Sequence, residues 1–199
     1  DGYVGLVGFK NNNYNRITVW AKKVKVNEAG DMGISSIALN HKATVLAAGF
    51  SSPPAGGAVL ILWKVKDTLL ENCDANNNKC GLRGRVDITS GSNGGVLSIA
   101  FNHDDSVMAS GSIDGSIRLW NMKDPIGYTG PPLIKILMGH PGPVNSVAFN
   151  HNSSVLASGA KSDDLKKDGT IKLWLMENYT LIKTIAGGNV RNEILWIPL

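Results

Sequence analysis

Three stretches of this chain align without a gap: ISSIALNHKATVLAAG from Ile34, VLSIAFNHDDSVMASG from Val96 and VNSVAFNHNSSVLASG from Val144. Each is followed, after a connector, by a run ending in tryptophan: VLILW at Trp63, SIRLW at Trp120 and TIKLW at Trp174. A fourth copy of that run, RITVW, ends at Trp20. Self-similarity at roughly 40–60 residues marks a repeat architecture, in which one unit cannot bury its apolar face alone and must stack on a neighbour.

Within a unit, SVAFN, SVLASG and TIKLWL are short, β-branched and roughly alternating, and Asn-, Asp- and Gly-rich turns bound them. That pattern predicts strands. A fourth strand is expected after each tryptophan, in KVKVNEAG, GRVDITSG, LIKILMGH and LIKTIAGG. No segment has sustained helical spacing. The unit is therefore an up-and-down antiparallel sheet of four strands, a to d in chain order.

The last unit, GHPGPVNSVAFNHNSSVLASG followed by DGTIKLW, resembles the WD40 family of β-propellers. It has Gly-His before strand a, small residues in strand b, Asp-Gly before strand c and a closing Leu-Trp. The resemblance covers essentially the whole chain and implies an all-β fold: a WD40-type propeller with four blades' worth of strands. The blades would be 1–30 plus 190–199, 31–91, 92–139 and 140–189. The resemblance also implies a buried hydrogen-bond network of His140, Ser158, Asp168 and Trp174 in the last blade. An indole N–H, a hydroxyl, an imidazole and a carboxylate can satisfy one another there. The preceding blade keeps Ser110, Asp114 and Trp120 but has Ser92 at the histidine position. The first two blades keep only Trp20 and Trp63, so packing must hold them.

The first blade lacks strand a: YVGLVGF aligns with strand b, RITVW with c and KVKVNEAG with d. NEILWIPL, 192–199, matches the missing strand, so first and last segments are expected to pair and close a ring without open edges. Three arrangements satisfy this count: a lone four-bladed ring, a homodimer that makes an eight-bladed ring, or part of a longer propeller.

A net charge of +4 comes from scattered Lys and Arg with no basic stripe interleaved with aromatics, which disfavours nucleic acid as a partner. No apolar run reaches the roughly 20 residues of a membrane span. The cysteines, Cys73 and Cys80 in NCDANNNKC, suit either a loop disulfide or two free thiols, which leaves the compartment open between the cytoplasm and a secretory route. They are too few for structural zinc, and the loop lacks the bidentate glutamate of an EF-hand. All four histidines fall at repeat positions: His41, His103 and His151 in an Asn-His turn between strands a and b, and His140 in Gly-His. Copies on different blades are expected to lie too far apart to share a metal. Neither a metal, a cofactor nor a catalytic group is expected, and the chain reads as a non-enzyme.

Function is then expected on loops presented by a rigid ring. The b–c connections GFSSPPAGG and GAKSDDLKKDG, with the short SGSIDG between them, nominate a binding face of Phe50, Pro53, Pro54, Ile113, Asp163, Asp164, Lys166 and Lys167. The resemblance implies a scaffold for another protein or peptide. The alternatives are a carbohydrate- or small-ligand-binding propeller, or a fragment of a larger WD40 regulatory protein.

Overall fold

The computed structural model describes residues 3–12, 16–25, 34–51, 60–65, 82–88, 95–125, 131–162 and 169–186, with side chains for 34–51, 60–64, 95–125, 131–162 and 169–186. No helix occurs among the described residues. Strands β1 (Tyr3–Asn12) and β2 (Arg16–Lys25) form an antiparallel pair. Next comes a four-stranded sheet of β3 (Ile34–Leu39), β4 (Val45–Phe50), β5 (Leu60–Val65) and β6 (Leu82–Ile88). The following sheet holds β7 (Val96–Phe101), β8 (Val107–Ser112), β9 (Ile117–Asn121) and β10 (Leu133–Leu137). The last holds β11 (Val144–Phe149), β12 (Val155–Ala160), β13 (Thr170–Leu175) and β14 (Thr180–Ala186). In each four-stranded sheet, chain order is spatial order, as the a-to-d reading expects. We call these sheets blades 2, 3 and 4.

The first unit departs from expectation. Its strands c and d were expected as separate strands, but Arg16–Lys25 runs as one strand, with Val7 opposite Ala21 and Val4 opposite Val24. Between Trp20 and Lys25 there is no Gly, Pro, Asn or Asp to turn the chain. The expected closing strand 192–199 lies outside the described residues, as do Cys73, Cys80 and Ser92.

The blades stack through their inner strands: β7 lies against β3 and β4, and β11 against β7 and β8. Glycine makes this approach possible. A Cβ on Gly49 would come within 2.6 Å of Val96 Cγ1, and one on Gly111 within 2.8 Å of Val144 Cγ1. Both glycines are the last residue but one of strand b, where strand a of the next blade crosses it. A serine beside each joint adds a polar tie: Ile99 N–H donates to Ser36 Oγ (3.1 Å) and Val147 N–H to Ser98 Oγ (3.1 Å).

Apolar side chains fill the rest of each joint. Val45, Ala47, Leu60 and Leu62 of blade 2 cluster with Val96, Ile99, Phe101, Met108 and Trp120 of blade 3. Ala109, Ile117, Leu119 and Leu137 of blade 3 cluster with Val144, Val147, Leu156 and Trp174 of blade 4. Each large side chain withdrawn from water in this way contributes on the order of 1.5–3 kcal/mol. The core therefore lies between blades rather than within one.

Candidate binding face

Up-and-down blades put their a–b and c–d turns at one end and their b–c turns at the other. Among the described residues, the a–b end is built from one repeated turn. Asn40, Asn102 and Asn150 each accept the N–H of the residue five positions on (Val45, Val107 and Val155, at 2.8, 2.9 and 2.9 Å). Their amide groups donate to Thr44, Ser106 and Ser154 (3.0, 3.1 and 3.1 Å). The turn then passes through a left-handed residue, Ala43, Asp105 or Ser153, with φ of 52°, 63° and 60°. Three copies of one turn present three exposed histidines at equivalent places on adjacent blades. Ring centroids are 5.4 Å apart for His41 and His103, and 4.7 Å for His103 and His151.

The histidines thus form a row, where the sequence led us to expect wide separation. The repeat fixes the turn's distance from the inner edge as well as its conformation, and inner strands stack closely. No group of three or more His, Cys, Asp or Glu side chains among the described residues is arranged to hold a metal ion.

The left-handed residue also joins neighbouring turns. The Asp105 carboxylate accepts the N–H groups of His41 (2.8 Å) and Lys42 (3.0 Å) and the Asn40 side-chain amide (3.1 Å), and faces His41 Nδ1 at 3.1 Å. Burial alone would raise its pKa, but the His41 and Lys42 amides and the His41 ring outweigh that and hold it below the ordinary carboxylate value. One blade on, Ser153 Oγ accepts the His103 N–H at 2.8 Å. A charged clamp therefore binds blade 2 to blade 3, and a neutral one binds blade 3 to blade 4.

Beside each clamp opens a cleft between blades. The first, of about 430 Å³, has Val45, Phe101 and Met122 in its floor and Lys42, Lys64 and Lys123 on its walls. The second, of about 360 Å³, is lined by Val107, Phe149, Met176 and Tyr179, with Glu177 at its rim. Phe101 and Phe149 are repeat equivalents, as are Met122 and Met176. The same apolar residues thus recur in both clefts under different charges: three lysines with Asp104, Asp105 and Asp124 line the first, and one glutamate lines the second.

The histidine–tryptophan network of the last blade lies deeper. His140 Nε2 pairs with Ser158 Oγ (2.7 Å), which also accepts the Trp174 indole N–H (2.8 Å), and His140 Nδ1 meets Thr170 Oγ1 (2.9 Å). Burial, and then the Lys172 charge, lower the His140 pKa to about 4, so the imidazole is neutral near pH 7. Asp168 lies outside the described residues. In blade 3 the Trp120 indole donates to Ser110 (2.9 Å). Asp114, nominated for the same network, instead serves its own b–c turn: it accepts from Ser116 N–H (2.9 Å) and pairs with Arg118 Nη2 (2.8 Å). Burial raises its pKa, but Arg118 and Ser116 outweigh that and hold the carboxyl well below the usual range. With no histidine at position 92 to engage it, the carboxylate finds the nearer guanidinium. In blade 2 Trp63 is buried opposite Leu46, in keeping with a blade held by packing.

The b–c end differs from expectation at its anchor residue. Phe50, read as an exposed aromatic, is 0% exposed. It closes β4 opposite Ile34, and its carbonyl lies 2.4 Å from where a Cβ on Gly95 would stand. Ile113 remains partly exposed at the tip of its turn. Pro53, Pro54, Asp163, Asp164, Lys166 and Lys167 lie outside the described residues. Sequence reading took Asp105 for a turn former and passed over Lys64, Phe101, Met122, Phe149 and Met176, although two of the cleft's residue types recur at the same repeat offset.

Residues 84–121 and 131–174 each match the family model "WD domain, G-beta repeat". Each match runs from the outer strand of one blade through strand c of the next, so a sequence repeat straddles a joint. Similar solved structures include "Crystal structure of RRP9 WD40 repeats" and "Structure of U3-55K", each with a TM-score of 0.57 and 14% identity. They cover 81% of this chain, which spans only 41% and 42% of theirs. No curated protein sequence matches the chain.

Proposed function

We propose that this chain, which carries WD40 repeats and folds into propeller blades, is a non-catalytic platform that binds a peptide segment of another protein along its a–b face. WD40 repeats serve in general as protein-interaction scaffolds. The observation that carries the placement is the pair of equivalent clefts, each with an apolar floor of Phe and Met under a polar rim. Apolar pits rimmed by polar groups are what a partner's anchor side chains fill. Met adds adaptability, since an unbranched thioether repacks around different shapes. An extended segment crossing the row of histidines can drop one apolar side chain into each pit.

The test is a peptide library selected on the folded chain, with the bound state mapped by methyl and aromatic NMR. Signals of Met122, Met176, Phe101 and Phe149 are expected to move, and Lys64→Glu with Lys123→Glu is expected to change affinity several-fold without altering the fold. Shifts confined to Ile113 and the 159–168 connection would overturn the placement.

A further inference from the structure

The repeat makes each cleft a control for the other, and the charge at one position reverses between them. Lys123 follows Met122 in the first cleft, and Glu177 follows Met176 at the same repeat position in the second. In the first cleft the ammonium groups of Lys42, Lys64 and Lys123 have no hydrogen bond or ion pair among the described residues. Two of its carboxylates are already engaged, Asp105 by the turn of blade 2 and Asp104 by the N–H and Oγ of Ser106 (3.0 and 2.6 Å). The second cleft is walled by turns at 102–107, 149–154 and 175–179, all within the described residues, and Glu177 is its one charged lining residue. That carboxylate is exposed and has no partner among the described residues. The aromatic side of the same cleft is strained into place. Tyr179 has a φ of 61°, a left-handed backbone that bulky residues rarely adopt and that glycine or asparagine ordinarily takes in a tight turn. The turn holds it there: Met176 N–H donates to the Ser154 carbonyl (2.9 Å), and Asn178 Oδ1 accepts from Thr180 N–H (3.3 Å) and Oγ1 (2.7 Å). Like Phe149 and Met176, the Tyr179 side chain is half-buried and packs against the core between blades 3 and 4.

We infer, on the peptide reading above, that the cleft between blades 3 and 4 takes a lysine or arginine side chain of the bound segment, and that the cleft between blades 2 and 3 turns such a side chain away. The aliphatic stem supplies the apolar filling over Val107, Phe149 and Met176, while the cationic head stays at the rim in water. There the Glu177 carboxylate attracts it as an ion pair and the faces of Phe149 and Tyr179 attract it through their π-electrons. At the first cleft the same head would meet three lysines, whereas an acidic side chain is complementary to them. The charge reversal between clefts therefore fixes the direction in which the segment lies across the face.

Isothermal titration of peptides selected on the folded chain tests this. Segments that move the Phe149 and Met176 signals are expected to carry Lys or Arg at the contacting position. Exchanging that residue for norleucine, which keeps a stem without the charge, is expected to weaken binding about two- to fivefold, and exchanging it for glutamate to weaken it further. Glu177→Gln is expected to shrink the preference for lysine over norleucine, and Glu177→Lys to abolish it. Tyr179→Gly, which suits the left-handed backbone, is expected to keep the β circular dichroism and to weaken the lysine-bearing segment about two- to fivefold. The exposed Glu177 variants provide the reading if Tyr179→Gly fails to fold. Segments that move these signals without preferring Lys or Arg to norleucine, or whose preference survives Glu177→Lys, would overturn the cationic occupant and leave the peptide face standing. A selection in which no segment moves these signals would overturn the peptide face itself, and this inference with it.

Discussion

Blades 3 and 4 have nearly the same sequence and different surroundings. LIKIL in β10 and LIKTI in β14 align residue for residue, yet Leu137 is 3% exposed and its equivalent Ile185 42%. The side chains are similar in size and hydrophobicity. What differs is the sheet next to them: β10 has blade 4 beside it, and no described strand covers β14. Burial in a propeller is conferred by the neighbour, so the stability of a blade cannot be judged from its own strands.

The largest expected effect probes the joint glycines. Gly111→Val would thrust a branched side chain into Val144 Cγ1 and the Val144 carbonyl, where a bare Cβ already falls at 2.8 and 2.9 Å. Backbone cannot yield as a flexible side chain can, so a loss of about 3 kcal/mol or more is expected. Gly159, the repeat equivalent in blade 4, is only half-buried, and Gly159→Val is expected to cost less than about 1 kcal/mol. Urea midpoints measure both, and equal losses would break the contrast between the glycine at a described joint and its half-buried equivalent.

A smaller effect separates Leu137→Ala from Ile185→Ala. The buried leucine is expected to cost about 2–4 kcal/mol through lost transfer energy and a residual cavity. The exposed isoleucine should cost about 1 kcal/mol or less.

How much of this was legible beforehand differs between strands and side chains. Strand order in blades 2 to 4 follows from periodicity and turn residues alone, because SVAFN and TIKLW alternate strongly and Asn-His turns punctuate them. Those signals are local. The tie from Trp174 to Ser158 could likewise be placed by alignment with the family pattern. Phe50, by contrast, was misplaced because it belongs to strand β4 and is buried there, which a connector's composition does not reveal. The histidine row was missed because the distance between two copies of a turn depends on how closely blades stack. Asp105 sits in its turn at φ 63°, where its sequence position suits a turn, but its carboxylate works on the neighbouring turn.

That clamp gives the next comparison. Asp105→Ala removes a charged acceptor from two backbone N–H groups and an amide, and is expected to cost about 1.5–3 kcal/mol. Ser153→Ala removes one neutral acceptor at the equivalent place and is expected to cost about 0.5–1.5 kcal/mol. Hydrogen exchange at His41, Lys42 and His103 would locate the loss. Equal effects would mean that the turns, rather than the charge, bind these blades.

The smallest effect concerns pH and sets blade 4 against blade 3. His140 has a folded pKa of about 4, below its ordinary 6.5, so between these values the unfolded chain binds more protons than the folded one. Stability should be complete above about pH 6.5 and fall as the pH drops towards 4, because protonation favours the unfolded chain. The carboxylate of Asp105 has its pKa lowered on folding, so its contribution is present above the unfolded value of about 3.9 and is lost only as the pH falls below that. The two windows are separate. Blade 3 pairs Trp120 with Ser110 and has no histidine at the equivalent position, so it lacks the upper window. Hydrogen exchange followed from pH 7 to 4.5 should therefore show protection falling first around Ser158 and Trp174, while Ser110 and Trp120 keep theirs. His140→Gln should flatten the loss in blade 4. Simultaneous loss in both blades would show that they open as one unit and that the network adds no separate acid sensitivity.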